Sequence, residues 1–374
     1  MSAFIICGLV CISAYILFFW LNLLTDFFWK ETKSNELKTW PSLTILISSN
    51  NDAPHLNALF EFLCKQEYPK TSWSLFFTND GSTDASDQII QSWKNRFPCQ
   101  VRWFEQNLPR GKKINLQHMA EQVQSEWILT TDADCYATSS TFLKSRVAFA
   151  LSQNAELSVG ALQYANGPIK LINCLQITEH RVLDLLTRNG IRWNTPYLCS
   201  GTNMLYKTNL FNAINGFKSH LHIASGDDVF MLNAAYKHKA TICYDTMPES
   251  VISTAVPDTW SEFWNQKIRW ASKSKYNSNP WNIIVGGLVM LTSFFVILFT
   301  LMSLVYNGFL YFYVILTIKV LTEWTMFLPG LKNKNATQVN PWMAFGILWV
   351  YPVYAAVIFT LALGALKTLK KQSW

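Results

Sequence analysis

Residues Ser74-Leu75-Phe76-Phe77-Thr78-Asn79-Asp80-Gly81-Ser82-Thr83-Asp84 decide the fold. An apolar run of strand length gives way at Asn79 to a turn, in which Gly81 relieves the backbone and Ser82 or Thr83 can cap the next helix. A helical pattern then runs from Asp84 to Asn95. The alternation continues on both sides. Strand candidates lie at Leu43 to Ser48, Val101 to Phe104, Trp127 to Thr131 and Leu157 to Leu162, with helical patterns at Ala53 to Gln66 and Lys112 to Val123. Short apolar runs alternating with helices predict βαβ units, and so an α/β domain with a mainly parallel sheet. Farther on, Lys170 to Arg188 and Asp227 to His238 read as helices, and Leu198 to Tyr206 as a strand-like segment.

The flanks have a different character. Ala3 to Leu24 carries no charge, and apolar windows near 281–304, 308–329 and 342–366 are each long enough to cross a hydrocarbon core. No positive residue precedes the first window and no small-residue cleavage pattern comes after it, which favours an uncleaved anchor over a signal peptide. Lys30 and Lys33 then place the N-terminus outside and the polar region in the cytoplasm. Four spans would also put Lys367, Lys370 and Lys371 outside, against the same tendency. Lys319 and Glu323 sit four apart within the window 308–329, where charges must pair or face a polar interior. The expected organisation is an anchor over 1–28, a catalytic domain over 40–257, an amphipathic interfacial helix over 258–280 and a transmembrane region over 281–374.

The formal charge of +7 points to anionic partners such as lipid headgroups or nucleotides. Nucleic acid is not indicated, because no basic cluster with interleaved aromatics forms in the polar region. Eight cysteines without CxxC spacing read as reduced thiols rather than as a disulfide scaffold or a zinc site.

An open α/β sheet binds ligands at the carboxyl ends of its strands, so the polar residues just after each strand are the place to look for chemistry. Ser49 to Asp52, Asn79 to Asp84 and Asp132 to Asp134 all converge on that edge. Asp132-Ala133-Asp134 offers two hard oxygen ligands suited to Mg²⁺ or Mn²⁺, or else an exposed acidic turn. Asp227 and Asp228 open a helix, where carboxylates can serve as caps; in a cleft, paired carboxylates can push one pKa up and supply a general base. In Gln266-Lys267-Ile268-Arg269-Trp270 a helix would present Gln266, Arg269 and Trp270 on one face. Trp260, Trp264 and Ile268 would lie opposite, with Lys267 at the margin free to snorkel. A basic interfacial helix explains those charges but not the clustering of the three residues.

Asp80 in the NDGSTD turn, the DAD at Asp132 to Asp134, the Asp227-Asp228 pair and the QKIRW run stand in the order of membrane-bound family 2 glycosyltransferases. The sequence therefore resembles the superfamily of cellulose, chitin and hyaluronan synthases and ceramide glucosyltransferase, over roughly residues 40 to 280. The resemblance implies a GT-A-type nucleotide-sugar-binding domain with transmembrane helices, one N-terminal and about three C-terminal.

It also implies roles. Asn79, Asp80, Lys112, Asp132 and Arg269 would bind a nucleotide sugar, with a UDP-sugar the expected donor, and Asp134 with Asp132 would hold Mg²⁺ or Mn²⁺. Asp228 would be the catalytic base, with Asp227 the alternative because the usual Glu-Asp pair is Asp-Asp here. Gln266, Trp270, Ser200 and Gly201 would form the acceptor side. Asn79 replaces a carboxylate found in many relatives, and Asn115-Leu116-Gln117 departs from the usual Ala-Leu-Asn. His220 and His222 fall near Asp228 and read as loop histidines. The function implied is inverting transfer to a lipid-linked or carbohydrate acceptor at the cytoplasmic face of a bacterial inner membrane, with membrane lipids as partners, in cell envelope polysaccharide or glycolipid biosynthesis. A processive polysaccharide synthase working as a homo-oligomer is the alternative, and a non-catalytic sugar-binding relative a third reading.

Overall fold

The computed structural model describes residues 2–29, 37–104, 111–165, 170–223, 226–257, 259–272, 279–305, 310–325 and 340–365. Lys30, Lys33, Lys367, Lys370 and Lys371, on which the topology expectation rests, lie outside them. In chain order the elements begin α1 (Ser2–Phe28), β1 (Leu43–Ser49), α2 (Ala53–Cys64), β2 (Trp73–Asn79), α3 (Ser86–Trp93), β3 (Gln100–Phe104), α4 (Lys112–Ala120) and β4 (Trp127–Thr130). They continue with β5 (Cys135–Tyr136), α5 (Phe142–Ser152), β6 (Leu157–Gly160), β7 (Leu162–Tyr164), α6 (Leu171–Arg192), β8 (Met204–Lys207) and α7 (Thr208–Ala213). The last are α8 (Asp227–Lys237), β9 (Ile242–Asp245), β10 (Ile252–Thr254), α9 (Trp260–Ser272), α10 (Pro280–Ser303), α11 (Leu310–Trp324) and α12 (Pro341–Ala365). The chain divides into a helical unit of residues 1–30, 166–189 and 256–372, and an α/β unit built mainly from 31–165 and 190–255.

In the α/β unit, β1 carries large aliphatics at four of its first five positions, the pattern of a strand covered on both faces. Leu43, Ile45 and Ile47 join a core with Leu56, Phe60 and Val147 on one side. Leu46 joins Leu116, Ile128 and Met231 on the other. Each such fully buried side chain contributes about 1.5–3 kcal/mol through removal from water. The seven strands of the main sheet run in the order β3-β2-β1-β4-β8-β6-β9. Pairings β3/β2, β2/β1, β1/β4 and β6/β9 are parallel, and β8 runs antiparallel to β4 and β6. Because β1, β2 and β4 share one direction, Ser49 pairs with Asn79 and the loops after all three strands leave from the same edge.

The run expected as one strand over Leu157 to Leu162 is divided between two sheets. β6 stays in the main sheet, while β7 turns away after Ala161 to join β10 and β5 in a second, three-stranded sheet. The strand-like segment Leu198 to Tyr206 begins instead with a 3-10 turn at Gly201–Asn203, and only β8 pairs. Neither Ser82 nor Thr83 caps α3. The Ser82 hydroxyl donates to Asn79 Oδ1, while Asp84 accepts from the backbone amides of Ser86 and Ala53, both at 3.0 Å. Asp84 thus serves the first turns of both α3 and α2; burial raises its pKa, and these bonds together outweigh that rise and leave it below its ordinary value.

Among the described residues of the helical unit, three helices are long and apolar enough to cross a membrane: Ala3–Phe28, Pro280–Ser303 and Pro341–Leu361. They turn large apolar side chains such as Leu17, Ile283 and Val350 outward, as a hydrocarbon environment demands. The fourth window, 308–329, is described as the 15-residue α11. Here Lys319 Nζ donates to Glu323 Oε1 at 2.7 Å, and Tyr15 of α1 donates to the same oxygen at 2.6 Å. The i,i+4 pair is therefore closed upon itself and on α1, buried at 2% exposure for each residue.

A carboxylate cleft at the strand ends

Every acidic candidate of the α/β unit is held at the edge where β1, β2 and β4 end. Asp80 comes directly after β2, donates its backbone amide to Ser49 O at 2.7 Å and accepts the Gly111 amide on Oδ2 at 2.9 Å. It is buried, so the carboxylate fixes the entry of α4. Asn79 is engaged within its own turn, where Oδ1 accepts from Ser82 and Nδ2 donates to Asp87. Asp52, after β1, accepts from the Ser49 hydroxyl and the Asn50 amide. Burial raises its pKa, those bonds oppose the rise, and the charge of Asp132 adds to it.

The gathering point is Lys112, the first residue of α4. Its ammonium lies 2.5 Å from Asp132 Oδ1 and 3.0 Å from Asp227 Oδ2, tying the end of β4 to the start of α8. Burial works against that charge, but the two carboxylates overcome it and hold the lysine pKa well above its ordinary value. Asp132 shifts upward chiefly through burial, opposed by Lys112 and reinforced by Asp134.

Oxygen atoms of Asp132 and Asp134 and the sulfur of Cys135 lie within 4.8 Å of one another. Burial and the neighbouring carboxylates raise the Cys135 thiol well above its ordinary range, and the hard oxygen donors of the group are the two carboxylates. Hard oxygens with positions left for phosphate and water fit Mg²⁺ or Mn²⁺. Asp134 is oriented from a distance in sequence, since Thr254 of β10 donates to its Oδ2 at 3.1 Å.

Asp227 and Asp228 open α8 after Gly226, whose φ of +93° suits glycine, and a Cβ there would lie 2.8 Å from Phe230. Asp228 Oδ1 accepts the Val229 amide at 2.7 Å. Gly201 comes so close that a Cβ on it would meet Asp227 Oδ2 and Asp228 Cβ, each at 3.2 Å. The Ser200 hydroxyl faces Thr202 Oγ1 at 2.9 Å and caps the turn that carries Gly201. Asp80, Lys112, Asp132, Asp134, Asp227, Asp228, Ser200 and Gly201 thus belong to one unit. Gln266, Arg269 and Trp270 belong to the helical unit.

On α9 the buried face consists of Phe263 and Lys267. Lys267 does not snorkel: its ammonium pairs with Glu179 of α6 and sits 4.4 Å from the Trp270 ring centroid, because a cation enclosed among helices needs a partner. Gln266 accepts from Gln176 of α6 at 3.2 Å.

Residues 44–214 match the family model described as "Glycosyl transferase family 2". The chain carries a family 2 glycosyltransferase domain. Among curated proteins, it is 27% identical over 125 residues to the poly(ribitol-phosphate) beta-N-acetylglucosaminyltransferase TarS of Staphylococcus aureus, covering 33% of this chain and 21% of TarS. It is 21% identical over 252 residues to the probable glycosyltransferase YdaM of Bacillus subtilis, covering 66% of this chain and 58% of YdaM. The chain therefore spans about a fifth and somewhat over half of these two relatives' lengths. The mannosyltransferase PcManGT of Pyrobaculum calidifontis, solved with GDP-Man and Mn²⁺, superposes with a TM-score of 0.55 at 13% identity over 99% of this chain and 88% of that one. That likeness shows the fold, and the glycosyltransferase domain is of the GT-A type.

Four further residues, none of them assigned a role from the sequence, support the elements that form the cleft. Thr254 reaches Asp134 only through the pairing of β10 with β5, in which it lies opposite Cys135. Lys113, 4% exposed, donates to the carbonyls of His220 and Ile223 at 3.0 and 2.9 Å, holding the chain that leads to Gly226. Asn115 and Gln117, which depart from the usual Ala-Leu-Asn, tie α4 to Ser48 Oγ and to the Phe217 amide.

Proposed function

We propose that this family 2 glycosyltransferase moves a sugar from a nucleotide sugar of the UDP class to a hydroxyl of a lipid-linked or carbohydrate acceptor at the cytoplasmic face of a membrane, with inversion of the anomeric centre. The observation that carries the reading is the meeting of Lys112, Asp132 and Asp227 at the strand ends, beside Asp134 and Asp228. The name of TarS, which gives a poly(ribitol-phosphate) acceptor, supports an envelope glycan or glycolipid as the product class. The three apolar helices support action beside a membrane.

In this reading Asp80 and Asn79 meet the nucleoside and Lys112 the diphosphate. Asp132 and Asp134 are the residues that would hold Mg²⁺ or Mn²⁺, which when bound would neutralise charge on the diphosphate leaving group. Asp228 accepts the proton of the acceptor hydroxyl as that oxygen attacks the anomeric carbon from the face opposite the leaving group. A single displacement inverts the centre, as it does in single-displacement glycosidases. Asp227 is assigned to orienting Lys112, because a carboxylate committed to an ammonium is a weaker base. Ser200 and Gly201 shape the acceptor side next to the two aspartates. Gln266, Arg269 and Trp270 take acceptor and countercharge roles on the strength of the motif resemblance.

The division of labour between the paired aspartates is tested by Asp228→Asn and Asp227→Asn. Asp228→Asn should keep UDP affinity and thermal midpoint while turnover falls by a factor of about 10²–10⁴, the usual cost of removing a general base. Asp227→Asn should lower turnover less and weaken UDP binding. Normal turnover in Asp228→Asn with a dead Asp227→Asn would move the base one residue earlier.

A further inference from the structure

The glycosyltransferase cleft holds a positive charge of its own where a divalent ion is expected. The Lys112 ammonium lies 2.5 Å from Asp132 Oδ1, an oxygen of the same carboxylate that lies within 4.8 Å of its Asp134 and Cys135 neighbours, and 3.0 Å from Asp227 Oδ2. Asp132, Asp134 and Asp227 bring three negative charges to this small region, with Asp52 close enough to Asp132 for their charges to interact. A divalent ion that takes Asp132 while Lys112 stays in place must sit beside a like charge, in a setting only part-exposed to water. Lys112 begins α4 directly after Gly111, whose amide donates to Asp80, so the start of the helix is tied to the strand end and the long lysine side chain carries the charge to the carboxylates.

We propose that Lys112 is a built-in stand-in cation, which occupies the Asp132–Asp227 gap until donor arrives, weakens binding of the divalent ion alone, and is drawn off by the donor's diphosphate. Metal and nucleotide then bind with positive coupling. The diphosphate supplies a new partner for the ammonium, which frees Asp132 for the metal while Asp227 keeps orienting the ammonium. The lysine thereby makes loading of the metal conditional on the nucleotide. This rests on the reading of the cleft as a nucleotide-sugar site, and it adds an order of binding that the reading does not contain.

The test uses the full chain in detergent and needs no acceptor. Free Mn²⁺ is titrated by its electron paramagnetic resonance signal with and without saturating UDP, for wild type, Lys112→Met and Lys112→Arg. Thermal midpoints confirm that the variants are folded. By linkage, the factor by which UDP tightens Mn²⁺ must equal the factor by which Mn²⁺ tightens UDP, and isothermal titration of UDP checks it. Wild type should show a coupling factor of at least about tenfold, within the common range for linked sites. Lys112→Met should bind Mn²⁺ alone about tenfold more tightly than wild type, with the coupling largely lost. Lys112→Arg, which keeps the charge, should resemble wild type in the absence of UDP. Equal Mn²⁺ affinity of wild type and Lys112→Met without UDP, while wild type binds UDP, overturns the stand-in role alone. Wild type that takes Mn²⁺ but no UDP overturns the donor-site reading and this proposal with it.

Discussion

Lys112 and Lys113 are adjacent in sequence and do different work. Lys112 faces carboxylates, whereas Lys113 is spent on backbone carbonyls and lies 4.9 Å from the Phe230 ring centroid. The segment that Lys113 holds contains His220, whose ring stacks on Phe230 at 4.1 Å and 10°. Burial lowers the His220 pKa, and the nearby Lys113, His222 and Lys237 charges lower it further. The folded state therefore resists protonating a group that the unfolded chain protonates near its ordinary value of about 6.5. Stability is retained above that pH and declines as pH falls below it, since the unfolded state then binds more protons. His220→Phe, which keeps the stack, should flatten the fall of the thermal midpoint relative to wild type between about pH 7 and about pH 5.5, from about half a unit above that pKa to about one unit below it. An identical slope in the variant would show that His220 does not carry the dependence. At this scale the acidic motif residues were legible because each ends a strand or opens a helix. Thr254 and Lys113 were not, because a threonine and a lysine in those contexts look like any others until pairing and packing place them.

At the scale of elements, β1, β2, β3 and β4 and the helices between them were readable within a few residues, since apolar runs and helical periodicity agree with local turn chemistry there. Reading failed where tertiary pairing overrides the local pattern. The Leu157 to Leu162 run is divided just after Gly160, where an added Cβ would come within 2.2 Å of the Asn203 side chain, and Asn203 donates to Ala161 O and Ser250 O. This amide stitches the junction between the two sheets and leads directly back to Gly201. The start of α8 depends equally on one residue. Gly226→Ala would place a Cβ in a left-handed backbone against Phe230, at a cost of about 1–3 kcal/mol for such strain. The variant should show a lower thermal midpoint and a turnover reduced at least about tenfold, the kinetic equivalent of about 1.4 kcal/mol, as Asp227 and Asp228 shift. UDP binding to β2 and β4 residues should persist. Wild-type midpoint and turnover would mean that the backbone at Gly226 has other ways to relax.

At the scale of the whole molecule, the chain interleaves a GT-A glycosyltransferase domain with helices drawn from both ends of the sequence and from 166–189. Hydropathy alone exposed the apolar segments, but not how their charges are used. Lys319 and Tyr15 both donate to Glu323 Oε1, a packing role for α1 against α11. α6 is polar in sequence, yet it belongs to the helical unit through Arg188 with Asp26 of α1 and through Glu179 with Lys267 of α9. These are pairings between distant segments that no local pattern announces. The central claim is that the cleft at the strand ends holds a nucleotide sugar through Asp134 and its neighbours. The most direct measurement is release of nucleoside diphosphate from a panel of UDP- and GDP-sugars by the purified chain, with Mn²⁺ titrated, for wild type and Asp134→Ala. Release from at least one UDP-sugar should depend on Mn²⁺ and fall by about 10² or more in Asp134→Ala. Release of equal rate and equal metal response in the two proteins would contradict it.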